Sequence, residues 1–203
     1  GIEVALKQPQ LHTAWSRQRI ALVKENFGER WGEELLSIAT DSKASVPHRT
    51  RAIDLLQLYG PQPSVDLLIQ LSKDRDRRIR TKAVYFLGLH TEQQAVDRLV
   101  ELVDDPNIVV QRTVCESLSR TGNTDLPTDK LVALLSHGDR YLAWAAAKTL
   151  QNQPRKTWQQ PVIESDDQRI FLVGSAALLG TKPDSETCQD ILERAHTLMG
   201  GFI

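Results

Sequence analysis

The chain has 203 residues, and its 25 Lys and Arg are balanced by 26 Asp and Glu, so the formal net charge is -1. This balance excludes a surface built as a whole for nucleic acid or anionic lipid, and any basic site must be local. Apolar residues make up 40% of the chain, but no apolar run reaches the ~18 residues of a membrane span. The length suffices for one domain or for one extended array of repeats.

The helical pattern begins close to the N-terminus. The spacing of apolar residues in 11–27 predicts one helix. Its buried stripe is expected to run through Ala14, Ala21 and Leu22. We expect this helix to cap the N-terminal end of the array that follows it.

One spacing recurs through the middle of the chain: an apolar residue, three others, a small apolar residue, three others and a leucine. The period is about 31 residues, within the range of helical repeat proteins. The marked residues lie four apart, which places them on one buried stripe of a helix. They are Ala52 and Leu56, then Ile79, Ala83 and Leu87, then Val110, Val114 and Leu118, then Leu142, Ala146 and Leu150. The stripes predict helices over residues 46–58, 77–88, 107–120 and 139–151.

A further apolar helix precedes each of these stripes, so every repeat is predicted to be a pair of helices. The first helices of the pairs are expected over residues 29–39, 64–72, 94–103 and 128–136. Gly60, Gly88 and Gly122 follow the ends of second helices, where glycine is a common C-terminal cap. No run of alternating β-branched residues is bounded by hairpin turns, so the sequence predicts an all-α protein.

The pattern becomes irregular after the fourth unit. Pro161 is expected to break any helix in PRKTWQQPVIESDDQ. RIFLVGSAALLG restores a second helix, with Phe171, Ser175 and Leu179 at the buried positions, and SETCQDILERAHTLM is predicted to pack on it. We therefore predict one domain over 1–203, made of five units and a cap. The cap covers 10–27, the regular repeats cover 29–60, 61–90, 92–122 and 126–153, and the distorted fifth unit covers 154–203.

The stretch DRRIRTKAVYFLG resembles the second helix of a HEAT-like repeat of the short bacterial, PBS-lyase type. Ile79 and Arg80 stand for the Val-Arg of that pattern, Ala83 stands for its small residue, and Leu87 with Gly88 stands for its Leu-Gly ending. The resemblance extends over about 31–151. It implies a right-handed α-solenoid, an armadillo-like superhelix whose second helices line the concave face.

HEAT-type arrays also carry an Asp and an Arg at a fixed spacing that pair between neighbouring units. Asp74 and Arg80 fit this spacing, whereas Gln111 and Ala143 stand where later units would have the Arg. The resemblance therefore implies a pair at Asp74 but no continuous ladder of such pairs.

The function implied by the resemblance is a non-catalytic scaffold that binds a partner protein, or flanking domains of its own polypeptide, on its concave face. One alternative is an enzyme, because HEAT-like arrays include alkylpurine DNA glycosylases and phycobilin lyases. Another is a spacer in a large exported bacterial protein, between a propeller dehydrogenase-like domain and a cytochrome module. PHRTRAIDLLQLYG and the start at Gly1 are similar to such segments. A periplasmic location is expected only in that last case.

Aligning the second helices predicts which residues share a solvent-facing column. The predicted columns are Arg51, Lys82, Thr113 and Ala145; Thr50, Thr81, Arg112 and Trp144; and Asp54, Tyr85, Glu116 and Lys148. The candidate binding groove, with cationic rims and aromatic platforms, consists of Arg51, Arg78, Lys82, Tyr85, Arg112, Tyr141 and Trp144. We expect Arg78, Lys82, Arg112 and Trp144 to share one contiguous surface.

The same residues have a structural alternative, an ordinary solvated helix face, because Asp54 and Glu116 dilute the positive charge. Trp144 stands among alanines in YLAWAAAKTL. A large ring in that setting either fills a gap between helices, which is the interpretation we prefer from the sequence, or is offered to a ligand.

The sequence predicts no catalytic residue, cofactor site or metal site. The five histidines show no spacing of four residues on a helix. Cys115 and Cys188 form no CxxC motif. The acidic pairs and clusters, at Glu33 and Glu34 and at Glu164, Asp166 and Asp167, do not lie within an apolar run of the kind that would raise a carboxylate pKa for acid-base catalysis.

Overall fold

The structure is a computed structural model that describes residues 1–199, and this part of the chain contains helices and no strand. Residues 200–203 of the predicted fifth unit lie outside the described range. The chain divides into two compact units, Gly1–Ala83 and a second unit that begins at Val84. The prediction of a single domain stays a prediction, whereas the all-α fold class is confirmed.

The first unit contains five helices and most of a sixth. They are α1 (Glu3–Leu6), α2 (Ala14–Phe27), α3 (Arg30–Thr40), α4 (Val46–Tyr59), α5 (Val65–Leu71) and α6 (Arg77–Leu87), which runs past Ala83.

The second unit continues the alternation of short first helices and longer second helices. Its helices within the described range are α7 (Gln93–Glu101), α8 (Ile108–Thr121), α9 (Thr128–Ala133), α10 (Arg140–Gln151), α11 (Gln159–Ile163), α12 (Gln168–Leu179) and α13 (Ser185–Met199). Single 3-10 turns extend α7 and α9, at Leu102–Asp104 and Leu134–Ser136.

The predicted second helices are confirmed as α4, α6, α8 and α10, and the first helices as α3, α5, α7 and α9. Every residue of the recurring stripe is buried, from Ala52 to Leu150, with at most 2% of its surface exposed. Burial of that regularity arises because each pair can cover its apolar stripe only by stacking on its neighbours.

Local capping explains where several helices begin. Ser45 and Ser64 accept hydrogen bonds from the backbone N–H groups of His48 and Leu67 at the starts of α4 and α5. Asp139 accepts from two N–H groups at the start of α10. These side chains satisfy donors that have no partner inside the helix.

The N-terminal cap differs from the prediction in two respects. The short α1 precedes it, and α2 begins at Ala14. Its buried stripe runs through Ser16, Ile20 and Val23, while the predicted stripe of Ala14, Ala21 and Leu22 faces solvent. The prediction was wrong because buried Ser16 donates its hydroxyl to Gln8 Oε1 at 3.2 Å, so a polar residue occupies a core position.

The fifth unit is more helical than expected. Pro161 does not break a helix but lies in the first turn of α11, where its missing N–H would have had no partner. In α12, Phe171 and Ser175 are buried as predicted, but Leu179 is 51% exposed and Leu178 is fully buried. The stripe moves back one residue because three and four residues both complete about one turn of a helix.

Two glycines that follow second helices have different roles. Gly122 is left-handed, with φ of 68°, and confirms the predicted C-terminal cap. Gly88 is needed for space, because a Cβ on it would lie 2.8 Å from Ser117 Cα. This close approach brings the chain after α6 against α8.

The predicted pairing of Asp74 with an Arg of a neighbouring unit is confirmed. The Asp74 carboxylate accepts from Arg49 of the preceding repeat at 2.5 Å. Arg49 is buried and also donates to the Ala39 carbonyl. Arg80 donates to the carbonyls of Asp74 and Arg75. Asp74 therefore reaches back to the Arg aligned with Arg80, because the carboxylate follows α5 and faces the second helix of the preceding pair.

Candidate binding groove

The predicted cations of the first unit are largely neutralised. Arg78 is exposed and makes two hydrogen bonds to Asp76, at 3.0 and 2.8 Å. Hydrogen bonding from Arg78 lowers the pKa of Asp76 to about 2. Lys82 is half-buried and donates to Asp54 at 2.7 Å. Arg51 is half-buried and has no ion pair within the described residues. Neighbouring carboxylates thus neutralise most of the positive charge that was predicted for the first unit.

The first predicted column is only partly exposed. In the second unit, Thr113 and Ala145 are buried, with 7% and 2% of their surfaces exposed, so their prediction as solvent-facing positions was wrong. The reason is that α8 and α10 pack side by side. Thr149 of α10 donates to the Cys115 carbonyl of α8 at 2.9 Å, and positions turned toward the neighbouring second helix lose their exposure.

Tyr85 and Arg112 are both accessible, but each has a local partner. The Tyr85 ring is 47% exposed and lies under the guanidinium of Arg120 at 4.8 Å. Arg112 is half-buried and stands 3.8 Å from Glu116 on the same helix. The prediction of one surface joining Arg78, Lys82, Arg112 and Trp144 stays a prediction.

The exposure of Trp144 shows that the interpretation of this ring as filling a gap between helices was wrong. Its side chain is 58% exposed, while Ala143, Ala145, Ala146 and Ala147 around it are buried. The alanines let α10 pack closely against its neighbours, and the indole stands outside that packing. The nearest cation, Lys148 Nζ, lies 5.9 Å from the ring centre.

The indole forms one wall of a groove between α10 and α12, which we call the Trp144 groove. Its volume is about 410 Å³. Buried Ala143, Ala147 and Ala177 lie at its base, and Leu172, 65% exposed, lies on the α12 side. The full lining is Arg140, Ala143, Trp144, Ala147, Lys148 and Gln151 of α10, and Arg169, Leu172, Val173, Ala176 and Ala177 of α12.

The charge of the Trp144 groove is positive. Arg140 donates to the Tyr141 hydroxyl at 2.7 Å, and Lys148 donates to Gln151 at 2.9 Å. The described residues supply no ion pair to Arg140, Lys148 or Arg169, and none of the lining residues is acidic. Tyr141, 52% exposed, lies beside the groove, under the Arg140 guanidinium at 4.7 Å.

The sequence prediction included Tyr141 and Trp144 of this region but missed Arg140, Arg169 and Leu172. A signal for Arg140 was present, because Arg140, Trp144 and Lys148 are spaced by four and share one face of a helix. Arg169 and Leu172 lacked such a signal, since their place beside Trp144 depends on how α12 packs against α10.

A larger open cavity of about 690 Å³ lies between the first helices α3 and α5. Its lining includes Glu29, Glu33 and Asp66, together with Leu36, which is 42% exposed. This lining, all of it within the described residues, contains no histidine, cysteine or lysine. The predicted aromatic residues lie elsewhere.

Cys115 does not have the environment of an activated thiol. Cys115 is fully buried, and this burial raises its pKa to about 12, which keeps it a neutral thiol. Cys188 is half-buried and makes no disulfide. Within residues 1–199 no three His, Cys, Asp or Glu side chains are grouped to hold a metal ion.

The helix pairs and their buried stripe are the arrangement of an all-α repeat protein. Residues 32–119 match the family model described as HEAT repeats, so the repeats recognised from the sequence are confirmed there. No curated protein sequence matches the chain.

Two solved structures share the fold. One is the CpcE–CpcF complex of phycocyanin lyase from Nostoc sp. PCC7120, with a TM-score of 0.56 and 19% identity over 77% of this chain. The match covers 66% of that protein's chain, just under two thirds. The other is an engineered protein of the Northeast Structural Genomics Consortium, with a TM-score of 0.51 and 18% identity over 89% of this chain and 86% of its own. At these identities the likeness concerns the fold.

Among the helices of residues 1–199, none combines the length and apolar character needed to traverse a bilayer.

Proposed function

We propose that this chain is a non-catalytic scaffold that holds a partner protein, or a flanking domain of its own polypeptide, on the face lined by its second helices. The observation that carries the proposal is the Trp144 groove, in which two large apolar side chains remain more than half exposed. Paired exposed apolar side chains with a charged rim are typical of protein interaction sites.

An enzymatic role, either glycosylase-like or lyase-like, is the alternative from another class. Its support is the fold of the phycocyanin lyase complex, and a shared fold does not carry a shared activity. The lining of the Trp144 groove, all of it within the described residues, contains no carboxylate, histidine or thiol. Histidine and carboxylate groups are the commonest general acids and bases of enzymes.

The experiment compares the parent chain with a quadruple variant, Arg78→Ala, Lys82→Ala, Arg112→Ala and Trp144→Ala, as baits for proteins from the native source. Circular dichroism verifies that the variant is folded. We expect the folded variant to lose partners that the parent captures, because Trp and Arg side chains often dominate interfaces. If the variant retains every partner of the parent, the scaffold does not use this face.

The spacer hypothesis is separated from partner binding by the full-length gene. A spacer would connect flanking domains of the same polypeptide, and the captured partners would then be those domains expressed separately. An unrelated protein captured through the second-helix face would instead support a scaffold for a separate partner.

A further inference from the structure

We infer that the Trp144 groove binds an acidic segment of a partner protein in which a large apolar side chain is flanked by carboxylates. This inference rests on the proposed scaffold function and specifies its ligand chemistry. The apolar side chain would lie on the alanine base between Trp144 and Leu172, and the carboxylates would contact Arg140, Lys148 and Arg169.

The apolar part of the inference follows from shape. Ala143, Ala147 and Ala177 have small side chains and are buried, so they leave a depression between the two helices. The Trp144 indole and Leu172 stand on opposite sides of that depression. Covering both would remove apolar surface from water, which is the main favourable term in most associations of proteins.

The acidic part follows from charge. Three cations line the groove, and none has a carboxylate partner among the described residues. The nearest carboxylates in sequence are Asp139 and Asp167, which cap α10 and α12 by accepting from backbone N–H groups. The chain as a whole has a net charge of -1, so this concentration of positive charge is local and favours an acidic ligand.

The arrangement of the cations predicts carboxylates on both sides of the apolar side chain. Gln151 near the end of α10 donates to the Ala177 carbonyl near the end of α12 at 2.9 Å, so the C-terminal parts of the helices meet. Lys148 is one turn from this contact. Arg140 and Arg169 lie about 16 Å and about 12 Å back along their helices, at the other end of the groove.

The test uses a phage-displayed library of random peptides, selected on the immobilised parent chain. Peptides that also bind a Trp144→Ala, Arg169→Glu double variant are removed. We expect enriched sequences to carry Asp or Glu on both sides of a Leu, Phe, Trp or Met. Enrichment of basic sequences, or no enrichment over the double variant, would overturn the inference.

An enriched peptide is then synthesised with a fluorescent label, and its affinity is measured by fluorescence polarisation. We expect Trp144→Ala and Arg169→Glu each to weaken binding by about tenfold or more, as buried anchors of interfaces do. Two altered peptides should bind the parent chain about as weakly as the original peptide binds these variants. One has Lys in place of its acidic residues, and the other has Ala in place of its apolar residue.

Matched controls lie outside the groove. Trp15 is also exposed, at 50%, and lies under the Arg19 guanidinium at 4.0 Å. Arg17 is exposed and, like Arg169, has no ion pair within the described residues. Trp15→Ala and Arg17→Glu should leave peptide affinity within about twofold of the parent. Equal losses in the controls and the groove variants would overturn the assignment to this groove.

Competition separates the protein segment from other acidic ligands. If duplex DNA or the fatty acid anion laurate displaces the peptide at equal or lower concentration, the ligand is not a protein segment. The proposed scaffold function can still be correct when the inference about the ligand is wrong. It stands if Arg78→Ala, Lys82→Ala and Arg112→Ala together, with Trp144 retained, remove native partners while Arg169→Glu removes none, since the contact would then lie outside the Trp144 groove.

Discussion

At the scale of single residues, Leu87 and Leu118 close the buried stripe of successive second helices. Both are buried, with 0% and 1% of their surfaces exposed. Leu87→Ala and Leu118→Ala should each lower the free energy of unfolding by about 2–5 kcal/mol, because each leaves a cavity in a packed core. Urea denaturation followed by circular dichroism measures the change.

The aligned Leu56 and Leu150 should behave like Leu87 and Leu118. Leu172→Ala, at a 65% exposed position, serves as the control and should change stability by less than about 0.5 kcal/mol. If a core variant changes the free energy of unfolding as little as this control does, its position was wrongly assigned to the buried stripe.

The two cysteines should differ in reactivity. Cys115 is buried, which raises its pKa to about 12, whereas Cys188 is half-buried. Iodoacetamide near pH 8 should therefore modify Cys188 in the folded chain and reach Cys115 only after denaturation, since the thiolate is the reactive form. Peptide mass spectrometry measures both. Equal labelling rates in the folded chain would contradict the burial of Cys115.

The raised pKa also sets a direction for stability. Cys115 would ionise near 9.0 when unfolded and near 12 in the fold. The free energy of unfolding should therefore not depend on this thiol below about pH 9. It should fall as the pH rises from about 9 toward about 12, because the thiol ionises in the unfolded chain and stays neutral in the fold.

At the scale of helices, the contact between Gly88 and Ser117 sets how closely the chain after α6 approaches α8. A Cβ on Gly88 would come within 2.6 Å of Ser117 Cβ and 2.8 Å of its backbone Cα. Gly88→Ala should therefore destabilise the fold by about 1–3 kcal/mol through overpacking. Denaturant unfolding measures it, with Gly138→Ala as control because an added Cβ there meets no atom within 4 Å. Equal effects of the two changes would contradict the close approach.

The ion pair of Arg49 with Asp74 is a second link between elements. Arg49 is buried, and its side chain has 6% of its surface exposed. Asp74→Ala should cost about 3–5 kcal/mol, because it leaves a buried guanidinium without its carboxylate. Thermal and urea unfolding measure the loss.

The matched control is Asp166→Ala, which breaks the pair of a fully exposed carboxylate with Arg194 at 2.9 Å. Surface pairs contribute about 0–1 kcal/mol. If both variants lose stability equally, the Arg49 guanidinium is solvated in solution and the pair is a surface contact.

At the scale of the whole molecule, balanced charge predicts weak affinity for nucleic acid. The net charge is -1, and the cations of the first unit are partly paired with Asp54 and Asp76. We expect no stable complex with duplex DNA at physiological salt, because duplex binding requires many uncompensated phosphate contacts. A titration by fluorescence polarisation, repeated at low salt, measures this. Tight binding that Arg169→Glu abolishes would favour the glycosylase-like alternative over the scaffold.

The sequence by itself determined the helix pairs, their period and the buried stripe from Ala52 to Leu150. Those features follow from local spacing, because a stripe with a period of about 3.6 residues can be buried only on a helix. Predictions of burial from apolar spacing were wrong at two kinds of position. A polar residue is buried at Ser16, and the buried stripe is shifted by one residue at Leu178.

Only the tertiary structure decided which solvent-facing residues form a site. Trp144 belongs to a groove because α12 places Arg169 and Leu172 beside it, and Ala145 is buried because α8 lies against α10. The exposure of a side chain on a second helix depends on the neighbouring second helix, which is about 30 residues away in sequence. The periodicity within one helix carries no information about a helix so far away in sequence. The groove and its charge therefore followed only from the packing between helices.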